Sequence, residues 1–311
     1  MKWEGNEQSD NVEDRRSGGG AGGGFGFGGR SIGIGSLAIA LIGGWVFGVN
    51  PLAILDMMGG GGGAPVAQQG PAAAPPAGDR QAAFVSTVLA DTETVWTRVL
   101  QQGGATYRKP KLVLFRGATQ TACGQGQSAM GPFYCPADEK VYLDLNFFDT
   151  LKQRLGAPGD FAQAYVIAHE IGHHVQNLLG LTEQAETARR SGSQAQANAT
   201  SVRIELQADC FAGVWARNSQ QSKNWLEAGD IEEAMNAASQ IGDDTLQKKS
   251  RGTVMPESFT HGSSAQRVAA FKHGYDSGTV QQCDLARSRQ VQMQPSYWNR
   301  LPSVVSSGRP T

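Results

Sequence analysis

His169, Glu170 and His173 stand in one short run, His169-Glu170-Ile171-Gly172-His173, and residues of these types at this spacing can perform hydrolysis. Positions four apart lie on one face of an α-helix, so both imidazoles can reach a single cation. Glu170 sits about 100° round the helix from His169, beside such a cation rather than on it. A carboxylate there can take a proton from metal-bound water and pass it to a leaving amine. Zinc would lower the pKa of that water toward about 7 and polarise the scissile carbonyl. With five histidines in 311 residues, chance supplies such a run only about 0.003 times. A helix whose histidines are merely hydrogen-bonded is the competing reading. His174 points about 100° away from His173, so it should not bind the same metal; a packing or orienting role is favoured, with a substrate-facing one as the alternative.

Catalytic zinc usually takes three protein ligands and a water. The metzincin continuation needs Gly three positions and His six positions after His173, and the chain has Gln176 and Leu179 there. A carboxylate from a second helix remains. Glu183 and Glu186 fall in a polar stretch and read as solvated. Glu205 lies in Glu-Leu-Gln-Ala-Asp-Cys-Phe-Ala-Gly, where Ala208, Ala212 and Gly213 would let one helix approach another closely. Asp209, one turn on, suits the carboxylate that receives a ligating histidine's other N–H. A surface Glu/Asp pair is the plainer alternative.

The elements that must position these groups are visible as periodicity. Phe84, Val88, Val95, Trp96 and Val99 predict a helix ended by Gly103-Gly104. Lys111–Phe115 and the alternating Val141–Leu145 read as strands, and Phe147–Leu155 as a short helix. Asp160 with Gln163 makes a candidate capping box for a helix that reaches Leu179 and stops at Gly180. Residues 194–218 and 230–241 are further helices. The fold expected is α+β, mostly helical, with a small sheet beside the metal helix.

Glycine is frequent, 41 residues, but concentrated early in the chain. Residues 1–30, charged and then Gly-rich, read as disordered. Residues 31–55 carry no charge and are long enough to cross a bilayer as a signal anchor. Residues 56–78 read as a flexible tether, 79–298 as the globular domain and 299–311 as a tail. Lys2, Arg15, Arg16 and Arg30 precede the apolar stretch and no basic residue follows before Arg80. This bias predicts a single-pass membrane protein with a cytoplasmic N-terminus and an extracytoplasmic domain, in the periplasm or at the cell surface. The net charge of -1 gives no footprint for nucleic acid. The four cysteines include no Cys-x-x-Cys pair. In an extracytoplasmic domain they predict disulfides, Cys123 with Cys135 and Cys210 with Cys283, against four reduced thiols otherwise.

The segments His-Glu-Ile-Gly-His-His-Val-Gln and Glu-Leu-Gln-Ala-Asp-Cys-Phe-Ala-Gly-Val-Trp-Ala resemble the neutral zinc metallopeptidase family of bacterial membrane proteins. Met-Lys-Trp-Glu-Gly, Asn11-Val-Glu-Asp-Arg-Arg16, Tyr134-Cys-Pro and His261-Gly-Ser-Ser-Ala-Gln-Arg267 add to the likeness, which covers nearly the whole chain. It implies a zincin-like domain holding one zinc on His169, His173 and Glu205, with Asp209 behind them. The family is similar to gluzincins, which implies a substrate-binding strand edge at Val141–Leu145. It also implies an oxyanion-stabilising His261 oriented by Arg267. The activity implied is cleavage of a peptide or protein substrate. A zinc amidase acting on cell-wall peptides would use the same chemistry. A catalytically silent zinc scaffold would not need Glu170, and a structural zinc site would fill the fourth position with Cys or His.

Overall fold

The computed structural model describes residues 1–16, 73–128 and 131–284. The apolar stretch 31–55, the tether as far as residue 72, residues 285–298 of the expected domain and the tail 299–311 lie outside them.

Four strands form the main sheet: β1 (Val12–Asp14), β2 (Lys111–Phe115), β5 (Phe133–Cys135) and β6 (Lys140–Asp144), in the order β1-β2-β6-β5. β1, β2 and β6 run parallel, and β5 lies antiparallel to β6. Side chains alternate across a strand, so each strand divides its residues between two faces. Leu112, Leu114, Val141 and Leu143 face the main core, while Val113, Phe115 and Tyr142 face a smaller cluster with Cys135. A hairpin of β3 (Ala118–Thr121) and β4 (Gly124–Gln127) covers that second face. Gly126 is needed there, because a Cβ at this position would lie 2.3 Å from the Phe133 ring. The Cys123–Cys135 disulfide ties the hairpin to β5.

Eight helices pack on the main core among the described residues. They are α1 (Arg80–Gln102), α2 (Asn146–Gln153), α3 (Asp160–Leu178), α4 (Leu181–Ser191), α5 (Gln194–Lys223), α6 (Asp230–Gln240), α7 (Asp243–Arg251) and α8 (Ser264–Ser277). Asp79 caps α1, and full capping boxes open α5 (Ser193, Gln196) and α8 (Ser263, Gln266). The fold is mostly helical with a small sheet, as the periodicity predicts. Glycines set the tightest helix contacts. A Cβ on Gly172 of α3 would lie 2.9 Å from the Ala208 carbonyl of α5. Gly213, expected to bring α5 against α3, faces α8 instead, 2.1 Å from the Phe271 carbonyl by the same measure.

Further sequence-based expectations need correction. Residues 1–16 are part of the domain. Leu112 donates its N–H to the Asn11 carbonyl at 2.8 Å, Arg15 donates to Leu114 at 2.8 Å, and Val12 is buried. The strand is three residues long and two of them are acidic, so only pairing with distant β2 reveals it.

The single-pass localisation is overturned with it. Among the described residues no helix is long and apolar enough to cross a membrane. That topology also placed β1 across a bilayer from the domain. Paired strands lie about 5 Å apart, whereas a hydrocarbon core is about 30 Å thick.

Asp160 makes no capping box: the N-cap of α3 is Gly159, without a side-chain cap. The Asp160 carboxylate accepts from the amine of Met1 at 2.9 Å, and Glu233 takes the Phe161 N–H at 3.1 Å. Finally, β6 is no edge strand, since β2 and β5 flank it. Among the described residues, the free edge beside α3 belongs to β5.

Candidate metal centre

α3 carries His169, Glu170 and His173, and α5 carries Glu205 and Asp209. The close approach at Gly172 and Ala208 brings the two sets together. One donor atom from each of His169, His173 and Glu205 falls within a group no more than 4.8 Å across. His169 Nε2 lies 3.2 Å from Glu205 Oε2, and His173 Nε2 lies 3.6 Å from Glu205 Oε1. The two rings are 4.8 Å apart and almost perpendicular. Both imidazoles therefore turn the same nitrogen toward one carboxylate.

Their other nitrogens are held from behind. His169 Nδ1 meets Asp209 Oδ1 at 2.8 Å, and His173 Nδ1 meets Gln176 Oε1 at 2.9 Å. A carboxylate and an amide oxygen only accept, so each Nδ1 donates to its partner, and each Nε2, turned toward Glu205, is the nitrogen a cation would take in place of a proton. Asp209 also accepts from the Tyr165 hydroxyl at 2.5 Å.

The electrostatics fit a cation. Burial alone would lower His169, but the Asp209 charge and hydrogen bonds to Asp209 and Glu205 raise it to about 10. His173 is raised against burial by Glu205. Against its own burial, Glu205 is carried well below the usual carboxylate range by His173, His261 and His169. Burial raises Glu170, partly offset by His169 and His173. Arg267 compensates Asp209, so the carboxylates left without a guanidinium partner at the gap are Glu205 and Glu170. Two imidazole nitrogens and one carboxylate, with no fourth side chain in the group among the described residues, form the donor set expected of a catalytic zinc site.

His174 stands apart from this group. It is fully buried, with Nδ1 2.9 Å from the Tyr134 hydroxyl and Nε2 2.6 Å from the Arg108 carbonyl. Burial lowers its pKa, so it is a neutral packing residue between α3, β5 and the chain at Arg108.

His261 lies on the loop between α7 and α8, near enough to Glu205 for its charge to lower Glu205 and for Glu205 to raise it against burial. Gly262 rests against Val202 and Leu206, which flank Glu205 on α5. The loop is organised by Asp243, which is buried. Its Oδ2 accepts the N–H groups of Thr260, His261 and Gly262 at 2.8, 2.7 and 3.1 Å, and its Oδ1 lies 3.2 Å from His261 Nδ1. Arg267, expected beside His261, instead binds Asp209. Asp243 and Gln176 are the residues that sequence reasoning missed. Gln176 lies three positions after His173, a spacing that puts both on one helix face. Asp243 has no such signal, because its partners are 17 to 19 residues away. The second disulfide, Cys210–Cys283, joins α5 to the segment after α8.

The family model described as "Putative neutral zinc metallopeptidase" matches residues 1–286. The uncharacterized protein YpfJ of Escherichia coli (strain K12) is 52% identical over 288 residues, 91% of this chain and 98% of that protein. The uncharacterized protein Rv2575 of Mycobacterium tuberculosis is 43% identical over 202 residues, 62% of this chain and 66% of that protein. No solved structure gives a significant match.

Proposed function

The chain belongs to the neutral zinc metallopeptidase family, and from that premise we propose that it hydrolyses peptide bonds in peptide or protein substrates with one zinc at this centre. A single observation carries the reading: the donor atoms of His169, His173 and Glu205 converge within 4.8 Å, with Glu170 buried beside them.

When bound, zinc supplies a polarised water and a Lewis acid for the scissile carbonyl. The residues do the rest. His169, His173 and Glu205 would hold the cation. Burial raises Glu170 above its ordinary value, partly offset by His169 and His173, which favours a carboxylate that can both take and return a proton. It accepts the proton of the attacking water and delivers it to the leaving amine. His261, across from Glu205 and fixed by Asp243, donates to the oxygen that gains charge as water adds. The unpaired edge of β5 beside α3 receives an extended substrate by strand addition. A helix pair that supplies His-Glu-x-x-His and Glu-x-x-x-Asp to one site is the zincin-like arrangement.

Glu170→Gln tests this reading, because it keeps the shape and the ligands and removes the base. Metal content and cleavage of an unfolded protein are measured on the full chain. The variant is expected to hold one zinc per chain and to lose about 10²–10⁴-fold in kcat/KM. Equal cleavage by both proteins would overturn the role of Glu170. Failure of wild type to retain zinc would overturn the centre.

A further inference from the structure

Gln176 is a fully buried polar side chain on the metal helix, and all of its bonds lead toward the two ligand-bearing helices. Its Oε1 receives His173 Nδ1–H at 2.9 Å. Its Nε2 donates to the Ile204 carbonyl at 2.7 Å and to Gln207 Oε1 at 3.0 Å. Ile204 immediately precedes Glu205. One amide thus spans from a ligand on α3 to the peptide unit beside a ligand on α5. Gln207, also buried, donates onward to the Cys283 carbonyl at 3.1 Å. Cys283 is covalently bonded to Cys210, three residues after Gln207 on the same helix.

We infer that Gln176 is the positioning residue of His173, and that Gln207 and the disulfide-held Cys283 carbonyl fix Gln176 in turn. The inference rests on the metal-centre reading above. The logic is that of hydrogen-bond polarity. An amide has one accepting and one donating end. Gln207 and Ile204 occupy the donating end of Gln176, so its oxygen is the end left for the imidazole. His173 must then carry its proton on Nδ1 and point Nε2 at Glu205. Gln207 is oriented by the same rule, because its own donating end is occupied by the Cys283 carbonyl. His169 is aimed by a carboxylate whose charge Arg267 compensates. His173 is aimed by a neutral amide, which adds no further negative charge to a site already holding Glu205 and Glu170.

The test is zinc affinity of the full chain, read by competition with a chromophoric chelator, with kcat and KM measured separately at saturating zinc. Gln176→Leu keeps the volume and loses the bonds. It is expected to weaken zinc binding about 10–100-fold, the usual effect of removing a group that orients a ligand. At saturating zinc it lowers kcat with little change in KM, since Gln176 does not touch substrate. Gln176→Glu keeps an acceptor for Nδ1–H and is expected to hold zinc several times more tightly than Gln176→Leu. Gln207→Leu contacts no ligand and is expected to weaken zinc in the same direction but less. It decides the matter if Gln176→Leu does not fold. Wild-type affinity in Gln176→Leu, or in Gln207→Leu where only that variant folds, would overturn the relay alone. Zinc held no more tightly by wild type than by His169→Ala would overturn the metal centre itself.

Discussion

Arg267 grips Asp209 with two hydrogen bonds, Nε to Oδ2 at 2.8 Å and Nη2 to Oδ1 at 2.9 Å, and neither side chain meets solvent. The pair lies directly behind His169. Arg267 holds Asp209 down at about 2 against its burial, so Asp209 stays ionised as the acceptor for His169 Nδ1–H. Arg267→Met leaves a buried carboxylate uncompensated. Breaking such a pair typically costs about 3–5 kcal/mol. Urea unfolding of the metal-free protein is expected to show a loss of that size. Asp209→Asn combined with Arg267→Met is expected to cost much less than the sum of the two changes, because the orphaned charge is gone. An unchanged urea midpoint in Arg267→Met would remove Arg267 from this role.

Adjacent histidines in the same helix are expected to behave oppositely. His173→Ala removes a donor from the centre and is expected to abolish stoichiometric zinc. His174→Ala removes a buried ring whose two nitrogens meet the Tyr134 hydroxyl and the Arg108 carbonyl. Leaving such groups unpaired costs about 1–3 kcal/mol each. His174→Ala is therefore expected to melt at a lower temperature yet bind one zinc per chain, as measured by metal analysis after gel filtration. Loss of zinc from folded His174→Ala would place that residue in the centre.

What was legible in the sequence was what local periodicity encodes. β2 falls on Lys111–Phe115 as its residue types predict, and α3 ends beside Gly180, whose φ of +72° suits glycine. The His169/His173 spacing needs only helix geometry, whereas Glu205 and Asp209, two helices further on, stand out by their small-residue neighbours and by the family resemblance. What was not legible depends on pairing across long separations. The acidic β1 has no hydrophobic alternation to announce it. The edge position of β5 follows from sheet order, which strand composition does not contain. Asp243 reads as a helix-start acid, and only the folded loop shows three amides turned toward it. The resemblance implies Arg267 beside His261, while burial selects the distant Asp209.

The segment before residue 17 supports the domain, and its removal is the sharpest test of that. Ser9 and Asn11 donate to Glu93 Oε1 at 2.8 and 2.7 Å, and Glu93 is almost fully buried on α1. Lys140 on β6 bonds Glu13 at 3.0 Å, and Arg16 joins Asp14 to Asp79, the cap of α1. A chain lacking residues 1–16 opens the edge of β2 and strips two donors from Glu93, so it is expected to unfold at lower urea and to be cleaved faster by trypsin. Acid should act on the same attachment. Burial would raise Glu13, yet Lys140 and Arg15 carry it below its ordinary 4.5; Arg16 holds Asp14 below 3.8 against burial. A depressed carboxylate stabilises the fold above its unfolded pKa, and that contribution fades as pH falls through the folded one. Metal-free wild type is thus expected to lose stability from about pH 4.5 downward. Arg16→Met should be weaker at pH 7 and show a shallower acid slope. Superimposable urea midpoints for the two proteins from pH 7 to 3 would mean that the Asp14–Arg16–Asp79 link contributes nothing.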